Sequence, residues 1–281
     1  MSQAVTKIKT RIKSVSSAYK VTSAMKLVST VKLKQWRNKM LTHKAYISEV
    51  NKIVDLLLLG AENCKSPFME INNNATKNLY IVITSTLGLC GSYNNNIFKV
   101  SDAKIQKEDE AIILGNKGIS HYKNGEFVKV SGFENYQSID DKDSISKLTK
   151  FIFSEYQKGT YKEIHIIHSE YKNSLVFLAK DFKLLPLNLE VRDQKTGYPP
   201  IMEPNPQVLI DEIIPFYLES VIYSKLLESA VCEQGARSNA MENATNNAKE
   251  ILDELQIEFN KARQGAITQE IIEIVAAAKA V

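Results

Sequence analysis

IKTRIKSVSSAYKVTSAMKLVSTVKLKQWRNKMLTHKAYISEVNKIVDLL, residues 8–57, holds one heptad phase from end to end. Alternate steps of four and three from Ile8 land on Ile12, Val15, Tyr19, Thr22, Lys26, Ser29, Leu33, Trp36, Met40, His43, Ile47, Val50, Val54 and Leu57. A phase kept over that length without a slip is the pattern of a left-handed coiled coil. Its middle, Thr22 to Ser29, is polar or small, so the seam is weaker there than in a self-sufficient zipper. The partner lies near the other end of the chain, where Leu209, Ile213, Phe216, Tyr223, Leu227, Ala230, Met241, Ala244, Ala248, Ile251 and Leu255 follow a similar spacing. Two segments that must meet across an intervening domain pair most simply antiparallel, and the alanines allow close approach.

Proline placement supports long helices. All 7 prolines of the 281 residues fall between Pro67 and Pro215, and the 11 glycines are also few. An interior proline costs a helix about 3 kcal/mol, so their absence permits two terminal helices of about 60 residues, each extending roughly 90 Å. Between them the pattern changes. Short apolar runs at Leu79 to Thr84, Ala111 to Leu114, Ile164 to Ile167 and Leu175 to Leu178 read as strands, with helices near Asn95 to Gln106 and Ser144 to Gln157. That alternation predicts a small Rossmann-like α/β domain with a mainly parallel sheet. The expected division is residues 1–62 for the first long helix, 75–200 for the α/β domain and 207–281 for the second long helix. Asn72 to Asn74 and Gly197 to Pro206 read as linkers.

Composition narrows the class. With 44% hydrophobic and 24% charged residues the chain is an ordinary folded protein. No run approaches the ~18 apolar residues of a membrane span, and no secretory core follows the first lysines. Cys64, Cys90 and Cys232 form no CxxC pair and no disulfide framework, which reads most simply as cytosolic. The net charge of +4 is unevenly placed: no acidic residue precedes Glu49, while Lys7, Lys9, Arg11, Lys13, Lys20, Lys26, Lys32, Lys34, Arg37, Lys39 and Lys44 are all basic. Such a stretch implies an anionic partner: nucleic acid, a membrane surface or acidic protein segments.

Enzyme chemistry is sparse. GLCGSYN, Gly88 to Asn94, sits where a phosphate loop would, but lacks the GxxxxGK[ST] lysine and the GxGxxG spacing, so it reads as a tight strand-to-helix turn. GNKG, Gly115 to Gly118, reads as another turn. His165 and His168, three apart on a strand, face opposite sides of the sheet and share no metal. Cys90 has no readable activating base and reads as an inert thiol. Trp36 lies on the seam and reads as packing. No catalytic, cofactor or metal residue is expected.

Two C-terminal stretches, ESAVCEQGARSNAMENATNNA at Glu228 to Ala248 and FNKARQGAITQEIIEIV at Phe259 to Val275, carry a resemblance to a known family. With RIKSVSSAYKVTSAMKLVSTVKLK at Arg11 to Lys34 and TSTLGLCGSYN at Thr84 to Asn94, the chain resembles the gamma subunit of F-type ATP synthases, the central rotor shaft. It departs from the family pattern at Thr86 and Leu87, where an Asp-Arg pair is usual, at Cys232, usually serine, and at Ala277, usually glycine. These departures suggest a divergent paralogue, one not coupled to proton transport, as the alternative. The paired-cysteine insert of the chloroplast type is absent.

The resemblance implies an antiparallel coiled coil inside a ring of alpha and beta subunits, with the α/β domain beside the epsilon subunit and the membrane rotor ring. It implies one copy per complex, peripheral to the cytoplasmic face of the cell membrane, with catalysis on partner subunits. Met25 and Lys26 match the family's Met-Lys, and Arg263, Gln264 and Thr268 match its contacts to beta. Counting residues from Met25 opposite Ala244, antiparallel partners add to about 269, so the last dozen residues have no partner in the chain. That tail is apolar nearly all round, and Ile274, Val275 and Ala278 are expected to turn in a collar formed by the ring. Two other classes share parts of this pattern. A nucleic-acid-binding coiled coil would use the same cationic helix but lacks stacking aromatics on that face. A Rossmann-like enzyme would use the middle domain but has no cofactor fingerprint.

Overall fold

A computed structural model of the chain describes residues 3–59, 66–136, 138–174, 176–187, 202–203 and 205–279. Two helices dominate it, α1 (Gln3–Leu59) and α5 (Pro206–Lys279). Every heptad position read from Ile8 to Leu57 is buried or half-buried, as a continuous seam requires. α5 starts with proline at its first position, where no intrahelical N–H is missed, and the Asn205 carboxamide oxygen accepts the Val208 N–H at 3.0 Å. Pro215 lies inside α5, and the helix passes through it between the buried Ile214 and Leu218.

The residues form two compact units, 1–30 with 237–281 and 31–236. In the first, the helices are antiparallel. The Thr245 hydroxyl donates to that of Thr22 at 2.9 Å, the Lys26 ammonium meets Glu242 at 2.7 Å, and the Thr30 and Ser238 hydroxyls lie 3.0 Å apart. The numbers of each pair add to 267 or 268, against the 269 expected from counting. The polar middle of the seam is thus closed by hydroxyl pairs and an ion pair rather than by apolar knobs.

The second unit contains a five-stranded sheet of β1 (Leu79–Ile83), β2 (Glu110–Leu114), β3 (Val128–Lys129), β4 (Ile164–Tyr171) and β5 (Phe177–Leu185), in the order β3-β2-β1-β4-β5. β1 is parallel to β2 and β4, β2 is parallel to β3, and β5 runs antiparallel to β4 at the edge. Successive residues of β1 face opposite cores. Leu79, Ile81 and Ile83 pack in a large cluster with α4 (Lys142–Gln157), Trp36 and the α5 residues Ile210, Leu218 and Leu227. Tyr80 and Val82 pack beneath Ile97 of α2 (Tyr93–Lys104), beside Ile113 and Ile167. A parallel strand covered on both faces is apolar throughout, which is why LYIVI has no polar residue to alternate.

Several sequence expectations are corrected here. On α5 the buried residues near its start are Ile210, Ile214, Leu218, Val221 and Ile222, while Phe216 is exposed and Leu209 and Ile213 are only half-buried. This part of the helix covers the large sheet core, so its apolar face is wider than a seam and turned by one residue. Ile251, on the predicted seam, is exposed as well. The last strand extends to Leu185 rather than ending at Leu178, and Leu175 lies outside the described residues. Asn72 is no slack linker: its carboxamide donates to the carbonyls of Gly159 and of Tyr161. Gly197 to Ile201, Pro204 and Cys64 also lie outside the described residues.

GNKG is a turn for its first residue alone. Gly115, at φ +96, precedes α3 (Asn116–His121), whose Gly118 lies against β1: its N–H donates to the Thr84 hydroxyl at 2.9 Å. A methyl group at Gly118 would meet Thr84 Oγ1 at 2.6 Å and Ile113 Cγ2 at 2.7 Å. Gly118→Ala is therefore expected to destabilise the protein by about 1–3 kcal/mol of overpacking, less the ~1 kcal/mol that alanine gains in a helix. Gly265 of α5 has nothing within 4 Å of such a methyl, so Gly265→Ala should stabilise by about 0.5–1 kcal/mol. Urea unfolding midpoints of the two variants, moving in opposite directions, check both.

Candidate functional site

The predicted contact residues fall into separate patches of the first unit. Met25 and Lys26 are half-buried in the seam, and Lys26 spends its charge on Glu242. The counting rule pairs Lys26 with residue 243, one position from this partner, so the ion pair was legible in outline. Beside them Val21, Leu27 and Val28 are exposed, Leu27 by 67%, and mix apolar surface into the basic face of α1. The heptad reading passes over these residues because they lie off the seam.

Arg263, Gln264 and Thr268 are exposed on α5, where the Thr268 hydroxyl donates to the Gln264 carbonyl at 2.9 Å. They lie 21 residues beyond Glu242, about 30 Å along the helix, so the structure keeps the two predicted groups apart. A third patch follows. Residues 267–278 are exposed at every position, Ile271, Ile272, Ile274 and Val275 among them, with Ile274 at 68%. Ala278 shares that exposure.

In the second unit, the positions the sequence raised are engaged in hydrogen bonds and packing within the fold. In the GLCGSYN turn the Asn94 carboxamide donates to the Ser85 hydroxyl at 2.7 Å and to Cys90 Sγ at 3.3 Å, while its oxygen accepts the Ser85 N–H at 3.0 Å. The turn's polar groups thus hold the turn itself, with Leu89 and Gly91 at positive φ. Cys232 is buried and donates to the Ser169 carbonyl at 3.4 Å, and burial raises its thiol far above the ordinary range. Among the described residues no group of three His, Cys, Asp or Glu side chains could hold a metal ion.

The two histidines do face opposite sides of β4. His168 packs near Phe182 and is pulled down to about 4, by burial first and then by the Lys225 ammonium. It is neutral, and its 3.9 Å approach to Glu228 is no ion pair. His165 is stacked on Tyr80 and clamped between Asp181 at 2.8 Å and Glu163 at 3.0 Å. Burial alone would lower its pKa, but the hydrogen bonds and charges of Asp181 and Glu163 outweigh it, and the imidazole is raised above 6.5. Lys104 and Lys183 flank the two carboxylates.

Over residues 4–281 the chain matches the family described as ATP synthase. The chain belongs to that family. It is 36% identical over 277 residues to the ATP synthase gamma chain of Mycoplasma mobile, covering 96% of both chains. It is 32% identical over 307 residues to the sodium ion specific ATP synthase gamma chain of Acetobacterium woodii, covering 100% of this chain and 99% of that one. Among solved structures, a chain of the central stalk and c-ring of Tetrahymena thermophila mitochondrial ATP synthase superposes with a TM-score of 0.54. Its identity is 20%, over 80% of this chain and 99% of that one, so the likeness is one of fold. Among the described residues no helix is long and apolar enough to cross a membrane.

The His165 clamp makes stability depend on pH with a definite sign. A histidine raised in the folded state contributes stability that is complete below its unfolded value near 6.5 and lost as pH rises through the folded value. Asp181 and Glu163, both lowered, contribute above the ordinary carboxylate range and lose their share as pH falls through their folded values. His165→Gln should therefore cost stability at about pH 6 and much less at about pH 9. Urea midpoints of the variant and the parent at the two pH values are expected to converge on the alkaline side.

Proposed function

We propose that the chain is the central rotor shaft of a rotary ATP synthase or ATPase, a non-catalytic subunit that couples rotation to conformational change at nucleotide sites on a surrounding ring of alpha and beta subunits. The observation that carries this reading is the stretch 267–278 of α5. It runs past the last antiparallel partner that α1 offers, eight of its twelve residues are apolar, and it is exposed on every side. A helix of that kind is buried by something. The family supplies a ring, and in this reading the ring forms a collar in which Ile274, Val275 and Ala278 turn.

Torque requires that each rotor angle favour a different conformation in each catalytic subunit, which is a matter of differential contact energy. The contacts assigned to beta are Met25 and Lys26 on one patch and Arg263, Gln264 and Thr268 on the other. The acid-free face of α1 adds an attraction to acidic segments of beta that is screened and long-ranged, and therefore smooth under rotation. The sheet domain is assigned to the epsilon subunit and the membrane rotor ring, with one copy of the chain per complex, peripheral to the cytoplasmic face of the membrane.

Mixing the full chain with alpha and beta subunits tests the assignment. ATPase activity should appear in a complex containing a single copy, and its failure to assemble would refute the reading. The collar has its own test. Val275→Asp with Ala278→Asp places two carboxylates in an apolar sleeve, where an unpaired charge is strongly disfavoured. The double variant is expected to assemble poorly or to rotate against added friction in single-molecule recordings. Wild-type yield and rotation would remove the collar from the account.

A further inference from the structure

The stretch ESAVC, Glu228 to Cys232, meets the sheet where β4 has outrun its neighbour. β4 pairs with β1 as far as Ile167 beside Val82, yet continues to Tyr171. Backbone groups past that point have no strand on the β1 side, and buried ones need partners from elsewhere. Side chains of α5 supply them. Ser229 Oγ accepts the N–H of the buried Ser169 at 3.1 Å, Glu228 Oε1 accepts the Tyr171 N–H at 3.1 Å, and the Cys232 thiol donates to the Ser169 carbonyl at 3.4 Å. Little more than one turn of helix thus stands in for the missing end of β1.

The same part of α5 is held from further directions. The Tyr93 hydroxyl, at the start of α2, donates to the Ser229 carbonyl at 3.4 Å. The Phe177 ring, at the start of β5, lies against Gly235, where an added methyl would meet its Cζ at 2.6 Å. The Arg37 guanidinium of α1 sits 5.9 Å from the centroid of the Tyr171 ring. Nearer the start of α5, Ile210, Ile214, Leu218 and Leu227 join the apolar cluster beneath the sheet. The two kinds of contact differ under load. Apolar packing has no preferred direction, and packed helices shift past one another in small slides. A hydrogen bond holds only within a narrow range of distance and angle.

Both long helices run from the second unit into the first, whereas the sheet lies wholly in the second. Torque between the sheet domain and the first unit must therefore enter the helices through their contacts with the sheet domain. We propose that Glu228, Ser229 and Cys232 are positioning residues of the rotor, the anchor through which the sheet domain and the shaft turn together without α5 slipping. The inference rests on the rotor reading above and deepens it. It gives the ESAVC stretch a mechanical role apart from the residues assigned to beta.

The test uses the full chain, in a Cys64→Ser background, assembled with alpha and beta subunits whose ring is fixed to a surface. A probe is attached at Lys107→Cys in the sheet domain or at Lys52→Cys on α1, both exposed positions. Its angular spread is recorded during pauses of ATP-driven rotation. Ser229→Ala with Cys232→Ala strips Ser169 of both α5 partners. The spread at the sheet probe is expected at least to double, with the spread at the α1 probe and the ATPase activity unchanged. Cys232→Ser keeps a donor and should match the parent, whereas Cys232→Ala should not; this pair carries the test if the double variant does not assemble. Amide exchange in the isolated chain reads the contact itself: Ser229→Ala should cost the Ser169 N–H its protection and leave that of Ile166 intact. An unchanged spread at the sheet probe, an equal rise at both probes, serine and alanine acting alike, or unchanged Ser169 exchange would overturn the proposal. In each of those outcomes both probes still turn, whereas a parent complex that hydrolyses ATP without turning either probe refutes the rotor reading itself.

Discussion

The register between α1 and α5 in the first unit is the constraint on which the functional surfaces depend. It is set in the polar middle of the seam by Thr22 with Thr245, Lys26 with Glu242 and Thr30 with Ser238. None of these contacts adds much stability: the ion pair is half-exposed and worth about 0–1 kcal/mol. Their value is discrimination. Small and apolar residues elsewhere on the seam would tolerate several alignments, whereas a slip of one heptad would bring Lys26 opposite Lys249 and leave the hydroxyls without their partners. With the register fixed, the length of α5 left uncovered is fixed too, and so is the spacing of the contact patches along it.

Most of this was legible because a seam is a one-dimensional pattern. The heptad phase from Ile8 to Leu57 survives intact, since α1 presents a single narrow stripe throughout. Along α5 the same reading fails near Phe216, because a helix that covers a sheet buries residues on more of its circumference than a helical partner requires. Strands β1 and β2 were readable as uninterrupted apolar runs. The edge strand β5 was not, because FLAKDFKLL mixes two exposed lysines and an aspartate with apolar residues and has only one neighbour to satisfy. The six-residue α3 and the two-residue β3 are too short to leave a period at all.

The candidate site divides in the same way. Exposed positions on α5 followed from counting, because register converts residue number into height. The exposed Val21, Leu27 and Val28 did not, since a seam reading discards whatever lies off the stripe. Trp36 read as packing, and it is packing, in a cluster with Leu227 and Ile210.

The uncovered stretch at 267–278, with Ile271, Ile272, Ile274 and Val275 exposed, also bears on how the chain is supplied. A monomer that displays contiguous apolar surface is sticky until a partner covers it. Excess copies would pair through these segments with one another or with any exposed apolar surface, so an orphan subunit is a hazard rather than a reserve. On the proposed reading, a protein built this way is best made in step with the subunits that receive it, because the helix that serves the finished assembly leaves the unassembled chain open to unwanted pairing.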